Sequence, residues 1–345
     1  MVFDASRAAL ADAGLTIADI DAVMLSTTDQ VEGRVIESMV TNGAAGGVGR
    51  DVTTITSAGE HALIYGYLRL RAGQSRRVLV VVWSKESESM DSAHADLLGA
   101  EPFLLRPLGM TSVVAAGLQA SAYAARHGLE EAVVQGVREA SARQTARVHP
   151  DLGSTTDGHV AAWPLTDADL PQGCDAACAA VLVVADEVTA EHVPAWISGV
   201  GWVTERYDLG GRDLTRFEAL EAATEMALGA GGSAASADVV EVQQISSVGL
   251  LAALEALGLA PDGKGADVVT RSAPVVNPSG GNLFANPGNA AGVLRLLAAA
   301  QQVRGRAGEV QVTPQPTSAV GAALHGLAGQ GAAVVAFTSE QGAAA

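Results

Sequence analysis

Basic residues are scarce in this sequence: 21 Lys and Arg stand against 38 Asp and Glu, a formal charge of −17. So acidic a chain excludes nucleic-acid backbones and anionic membranes as partners. An anionic cofactor is compatible with it only through a local basic patch. Long apolar runs are missing too. The most convincing, Ala176 to Ala185, falls well short of the ~20 residues that cross a bilayer and suits a buried strand. Met1-Val2-Phe3-Asp4-Ala5 has neither the basic start nor the apolar core of a signal peptide, so a cytoplasmic protein without membrane insertion is expected. The 2 cysteines, Cys174 and Cys178, cannot form a disulfide framework. Their Cys-x3-Cys spacing has no second pair, so two buried thiols are expected and no metal site.

What is present is small and apolar. The chain of 345 residues is 48% hydrophobic and carries 39 Gly with only 4% aromatics, which fits a closely packed, helix-rich α/β protein of about two domains. Part of it reads twice. Residues 2–13 form an amphipathic helix closed by Gly14, then Thr16 opens a short capped turn and Asp21 to Thr27 a strand. Leu220 to Ala230 is another helix, followed by Gly231, Ser233, Asp238 and the strand Val239 to Val242. Gly14 falls on Gly231, Thr16 on Ser233, Asp21 on Asp238 and Val23 on Val240. More loosely, the helix Thr56 to Gly73 with the strand Arg77 to Trp83 matches Ala290 to Gly305 with Glu309 to Thr313. A duplicated α/β unit is implied. The second copy is preceded by a strand, Ala195 to Val203, which the first copy lacks. Between the copies, Thr111 to His127 and Glu130 to Arg147 read as helices.

One stretch organises the C-terminal part: Val275-Val276-Asn277-Pro278-Ser279-Gly280-Gly281, running through Ala285-Asn286-Pro287 into a helix. Paired glycines permit positive φ and close backbone approach, and by themselves mark a turn. The wording resembles the thiolase superfamily, in which Asn-Pro-x-Gly-Gly precedes a Gly-His-Pro turn; here Asn286 stands in place of that His. Other motifs align as well. Thr56-Ser57-Ala58-Gly59 matches the nucleophile motif Cys-x-Ser-Gly, with Thr56 at the Cys position. Gln243-Gln244-Ile245-Ser246 matches His-Asp-Cys-Phe. His325-Gly326-Leu327-Ala328-Gly329-Gln330-Gly331 matches His-Asn-x-Gly-x-Gly-Gly, and Asp175-Ala176-Ala177 a conserved-type strand opening. The likeness runs over nearly the whole chain and is nearest the sterol-carrier-protein-linked, lipid-transfer branch.

That resemblance implies a thiolase fold: two similar α/β halves, residues 1–190 and 191–345, in α/β/α/β/α layers, with a loop domain inserted at about 101–170. It implies acyl-CoA as ligand, no tightly bound cofactor, and a homo- or hetero-oligomer with a thiolase-like or an OB-fold, zinc-ribbon protein. It also implies phosphate binding from the inserted region, where Arg138, Arg143 and Arg147 lie; a solvated helix face is the commoner explanation for such residues. Gly280 and Gly281 fall on the cofactor-binding turn.

The chemistry is altered. Thiolases need a thiolate, a second acid/base and oxyanion donors. Here both sulfur groups and the activating His are replaced. The remaining candidates are Thr56 or Ser57 as a hydroxyl nucleophile or helix cap, Asn286 as an oxyanion donor, and His325 as acid/base or structural residue. Glu60 and His61 are expected on helix faces away from Ser57. Two functions follow: a thiolase-like subunit lacking the Cys/His machinery, or a Cys-independent C–C lyase or acyltransferase on CoA thioesters.

Overall fold

The computed structural model describes residues 1–29, 37–88, 92–152, 158–189, 191–269, 271 and 273–342. They form two compact units. The first comprises Met1–Ser92, Gly173–Pro194 and Pro287–Leu297; the second comprises Ala93–Gln172, Ala195–Asn286 and Ala298–Ala345. Residues 101–170 therefore pack within the second unit.

The first unit holds a four-stranded sheet in the order β2-β1-β3-β6, with β1 Ala22–Ser26, β2 Asp51–Ile55, β3 Arg77–Lys85 and β6 Asp175–Val183. β1 runs parallel to β2 and β3, and β6 runs antiparallel to β3. Every residue of β1 is buried, as continuous apolar strands covered on both faces require. The helix Gly59–Arg71 lies on this sheet through its glycines. A Cβ at Gly59 would lie 2.2 Å from the Asn289 carbonyl oxygen, and one at Gly66 3.2 Å from Val80. The seven-residue spacing seen in the sequence places both on the packed face.

The second unit holds the order β7-β11-β10-β8-β9, with β7 Trp196–Thr204, β8 Val239–Val242, β9 Val275–Val276, β10 Ser318–His325 and β11 Gly331–Thr338. β8 is parallel to β9 and β10, and β11 is antiparallel to β10. A small hairpin, β4 Val160–Ala162 with β5 Leu165–Thr166, completes its strands. Its apolar core gathers Tyr123, Phe217, Leu220, Leu251, Leu254 and Val334.

The two sheets share one plan: β2-β1-β3-β6 superposes in order and direction on β9-β8-β10-β11. The duplication extends to atoms. Gly14 and Gly231 both take left-handed φ, +64° and +69°. Thr16 and Ser233 both occupy the N-cap position of a 3₁₀ turn, Thr16 donating its N–H and hydroxyl to Asp19 and Ser233 accepting from the Ala235 N–H. Asp21 accepts the backbone N–H groups of Arg76 and Arg77 at the entry to β3. Asp238 accepts those of Thr317 and Ser318 at the entry to β10. Each aspartate thereby ties the start of one strand to that of its parallel neighbour, and these N–H donors hold both carboxyls below the ordinary range, at Asp238 against the opposing effect of burial.

Two differences matter. β7 pairs antiparallel with β11, and among the described residues the first sheet has no strand in that place, so β6 is an edge. The expected strand Glu309 to Thr313 is instead a 3₁₀ turn, Gly308–Val310, with extended chain after it; the strand begins at Ser318. Pro314 and Pro316 supply no N–H for a ladder, which delays pairing until they are passed.

The helix Glu218–Leu228 approaches β7 so closely that a Cβ at Gly201 would lie 2.0 Å from the Ala223 carbonyl oxygen. Gly201→Ala is expected to cost about 1–3 kcal/mol of stability in urea unfolding. Gly136, inside the helix Glu131–Val148 with open space around it, is the contrast; Gly136→Ala should stabilise by about 0.5–1 kcal/mol. A Gly201→Ala protein as stable as the parent removes the packing account.

Candidate functional site

In the first unit, β2 ends at Ile55, and Thr56 and Ser57 lead into the helix that starts at Gly59. Both side chains are exposed. The helix N-cap is Ala58, and no side chain caps the first turn. The hydroxyls therefore do not serve as caps, contrary to the simplest expectation for them. The Ser57 hydroxyl instead meets the imidazole of His61, with Oγ and Nδ1 2.8 Å apart. This corrects the expectation that His61 faces away: residues four apart share a helix face, and the turn entering the helix already has that geometry. His61 is buried, and its ring stands edge-on to Tyr65 at 6.3 Å between centroids. Beside Ser57 opens a cleft of about 550 Å³ lined by Thr54, Thr56, Tyr65, Leu68 and Arg69 among others. Arg69 is held there by Asp51 and by Ser75.

A second concavity of the first unit, about 520 Å³, is lined by Glu86, Ser87, Gly173, Cys174 and Asp175. Glu86 was legible only as structural. Burial lifts its carboxyl above the ordinary range, opposed by the Ser84 hydroxyl and reinforced by Asp175. A Cβ at Gly288 would lie 2.2 Å from its Oε1, so the chain closes over the carboxylate where only glycine fits. Both cysteines are unpaired thiols; Cys174 is half-buried and Cys178 buried. Burial raises the Cys174 pKa, with Asp175 and Glu86 adding to it, and burial pushes Cys178 up to about 12. Neither sulfur is a thiolate at neutral pH, so neither replaces the lost nucleophile.

In the second unit, the turn after β9 is bonded side chain by side chain to the end of β8. Asn277, at φ +46°, accepts from the Val242 N–H and donates to the Val242 carbonyl. Asn282 does the same for Gln244, at 2.7 and 3.0 Å. Glu241, with no exposed surface, accepts from the Ser279 N–H and hydroxyl. Gln244 donates to Ser141 and accepts from the Asn282 N–H. Gln243 accepts from the Leu324 N–H. These amides are therefore engaged within the fold. Gly280, at φ +99°, lies where a Cβ would be 2.8 Å from the Thr145 Cα, and Gly281, at φ +66°, where one would be 2.2 Å from the Gln244 Oε1. Ser246 caps the helix Ser247–Ala256 by accepting from the Gly249 N–H.

Asn286 lies at the end of this turn. Its N–H donates to the Gln172 carbonyl, and its Oδ1 accepts from Asn282. That contact directs Nδ2 as the remaining donor, and a half-buried carboxamide of this kind can serve an oxyanion. His325 ends β10 opposite Gly331, where a Cβ would lie 1.9 Å from its Nε2; the glycine makes room for the imidazole. Among the arginines, Arg138 is tied to Asp169 and Glu131. Arg147 donates to the Glu309 carbonyl, and Arg143 is mostly exposed, with Glu139 at 3.7 Å.

The fold is similar to that of thiolases. Residues 203–337 match the family model described as thiolase C-terminal domain-like. The chain is 40% identical over 105 residues to sterol carrier protein 2 of Oryctolagus cuniculus, covering 28% of this chain and 18% of that protein. It thus spans under a fifth of the curated relative's length. A solved structure described as an Ltp2-ChsH2(DUF35) aldolase shares the fold, with a TM-score of 0.78 at 18% identity, covering 98% of this chain and 92% of the other. The resemblance read in the motifs is borne out. No helix among the described residues is long and apolar enough to cross a membrane.

The raised Glu86 pKa has a measurable sign. The folded protein holds this proton more tightly than the unfolded chain does. The associated stability is complete below the unfolded value near 4.5 and is lost as pH rises through the folded value. Glu86→Gln should therefore melt increasingly above the parent as pH rises through that window. A gap independent of pH, or one that shrinks, contradicts the assignment.

Proposed function

We propose that this chain is the thiolase-like member of an assembly that handles acyl-CoA thioesters in lipid metabolism, without Cys-dependent thiolysis of its own. One observation carries the reading: the fold is kept around positions whose chemistry differs from the motif. A thiolase uses a thiolate at the start of a buried helix, and here Thr56 holds that place. The activating His is Asn286, and the two cysteines elsewhere are held as neutral thiols. Amide and hydroxyl groups orient and polarise a carbonyl but exchange no proton near neutrality. A thiolase-like or OB-fold, zinc-ribbon chain is the partner proposed to supply what is missing. The name of the solved aldolase, which joins two components, supports a partnership of this kind. Arg143, 70% exposed, is a candidate to meet a CoA phosphate; Arg147, which donates to the Glu309 carbonyl, and Gly280 and Gly281 are the further cofactor-binding candidates.

A second reading is favoured by Asn286 and by the word aldolase in that name: C–C cleavage of a β-hydroxyacyl thioester. Retro-aldol cleavage needs a base and stabilisation of the enolate, and no acyl-enzyme. Asn286 Nδ2 would hold the thioester oxygen and His325 would serve as acid/base.

The chain alone is expected to produce no acetyl-CoA from acetoacetyl-CoA and CoA, and co-purification from its own cells should recover a partner that restores C–C cleavage. Robust thiolysis by the isolated chain ends the first reading. In the active assembly with a β-hydroxyacyl-CoA, Asn286→Ala should lower kcat by about 10²–10³-fold, and His325→Ala should flatten its pH profile. Unchanged kinetics in both variants removes the retro-aldol mechanism.

A further inference from the structure

Ser57, a nucleophile candidate in the sequence, and His61 take no part in the function proposed above, and they have the geometry of a nucleophile and its base. A serine hydroxyl is far too weak an acid to ionise by itself and needs an adjacent acceptor. His61 Nδ1 stands 2.8 Å from Ser57 Oγ. The base is buried while the hydroxyl is exposed on the wall of the cleft, so a substrate can reach the oxygen without passing the imidazole. Ser57, His61, Tyr65 and Arg69 follow at intervals of four along one face of the 13-residue helix Gly59–Arg71 and its entry turn. Tyr65 braces the imidazole edge-on and also lines the cleft. Ala58 at the N-cap brings no capping side chain, and the positive end of the helix dipole lies beside the serine.

We infer that Ser57 and His61 form a catalytic pair that cleaves acyl esters and thioesters through an acyl-serine. His61 Nδ1 takes the hydroxyl proton as Oγ bonds to the acyl carbon. The resulting oxyanion faces the N–H groups of the first helical turn. The carbonyl re-forms, the bond to the alkoxide or thiolate breaks, and the leaving group receives the proton from His61. Water, deprotonated by His61, then attacks the acyl-serine, releasing a carboxylic acid and restoring the hydroxyl. The net reaction consumes one ester or thioester and one water. The cleft, with Leu68 and Tyr65 beside Ser57, suits a short apolar acyl group, and Arg69 at its edge stays paired with Asp51.

The pair lies within the first unit and needs neither C–C bond cleavage nor a partner chain, so its test is separate from that of the assembly. The full chain is incubated with p-nitrophenyl butyrate and, separately, with a fluorophosphonate, and the adduct is mapped by peptide mass spectrometry. Covalent labelling at Ser57 is expected, together with ester hydrolysis that falls about a hundredfold or more in Ser57→Ala and in His61→Gln. The parent rate should rise with pH through the imidazole range, a dependence lost in His61→Gln. Circular dichroism melts establish that both variants are folded, and labelling of the unmodified chain supplies a readout that needs no variant. Adducts confined to other residues, or hydrolysis unchanged in folded Ser57→Ala, overturn the proposal.

Discussion

Buried polar groups must find partners, and in this protein that requirement fixes the turn between β9 and the helix that follows. Asn277 and Asn282 each return two hydrogen bonds to one residue of the β8 segment, and Glu241 binds both donors of Ser279. Unpaired, each of these groups would cost about 1–3 kcal/mol; paired, they lock the turn to the strand end. The glycines follow from this locking. With the turn held against Gln244 and Thr145, no side chain fits at residues 280 and 281. The position of Asn286 is set in turn by Asn282 and by the Gln172 carbonyl. The polar lattice therefore determines where the remaining donor of the site points.

The same lattice accounts for why the architecture tolerates its altered chemistry. In the β8 segment, glutamines stand where a thiolase has ionisable groups, and they are consumed as internal ties: Gln244 to Ser141 and Asn282, Gln243 to Leu324. A group that ionises there would have to be desolvated or paired. At residues 243 and 244 neutral amides make these ties without that cost, while Glu241 meets it by accepting from both donors of Ser279.

Much of the fold was legible because short-range signals and internal repetition agreed. Gly14 and Gly231, and Asp21 and Asp238, each do the same job in both copies, and Thr16 and Ser233 hold the same position, so their alignment in the sequence carries physical content. Strand β10 was missed because Ala, Gly and Leu in Ser318–His325 lack the β-branched alternation that marks a strand, and it owes its existence to pairing with β8 and β11. The Ser57–His61 contact is a different case: the sequence reads Thr56 to Gly73 as one helix, and residues four apart in it share a face, so the spacing favours the contact over the expectation that the two point apart. Lys85-Glu86-Ser87 reads as structural, and what the sequence does not show is the packing of Gly288, about two hundred residues on, against the Glu86 carboxylate.

The open side of β6 has its own consequence. In the second sheet β7 seals the antiparallel rim; in the first, the outer row of peptide dipoles of the last strand has no sheet partner among the described residues. Such a rim recruits any extended chain that reaches it, a like molecule included. The excess of carboxylates, −17 in all, sets a long-range repulsion against self-association. Colloidal behaviour in this protein is thus a contest between a short-range template on one strand and a charge spread over the entire surface.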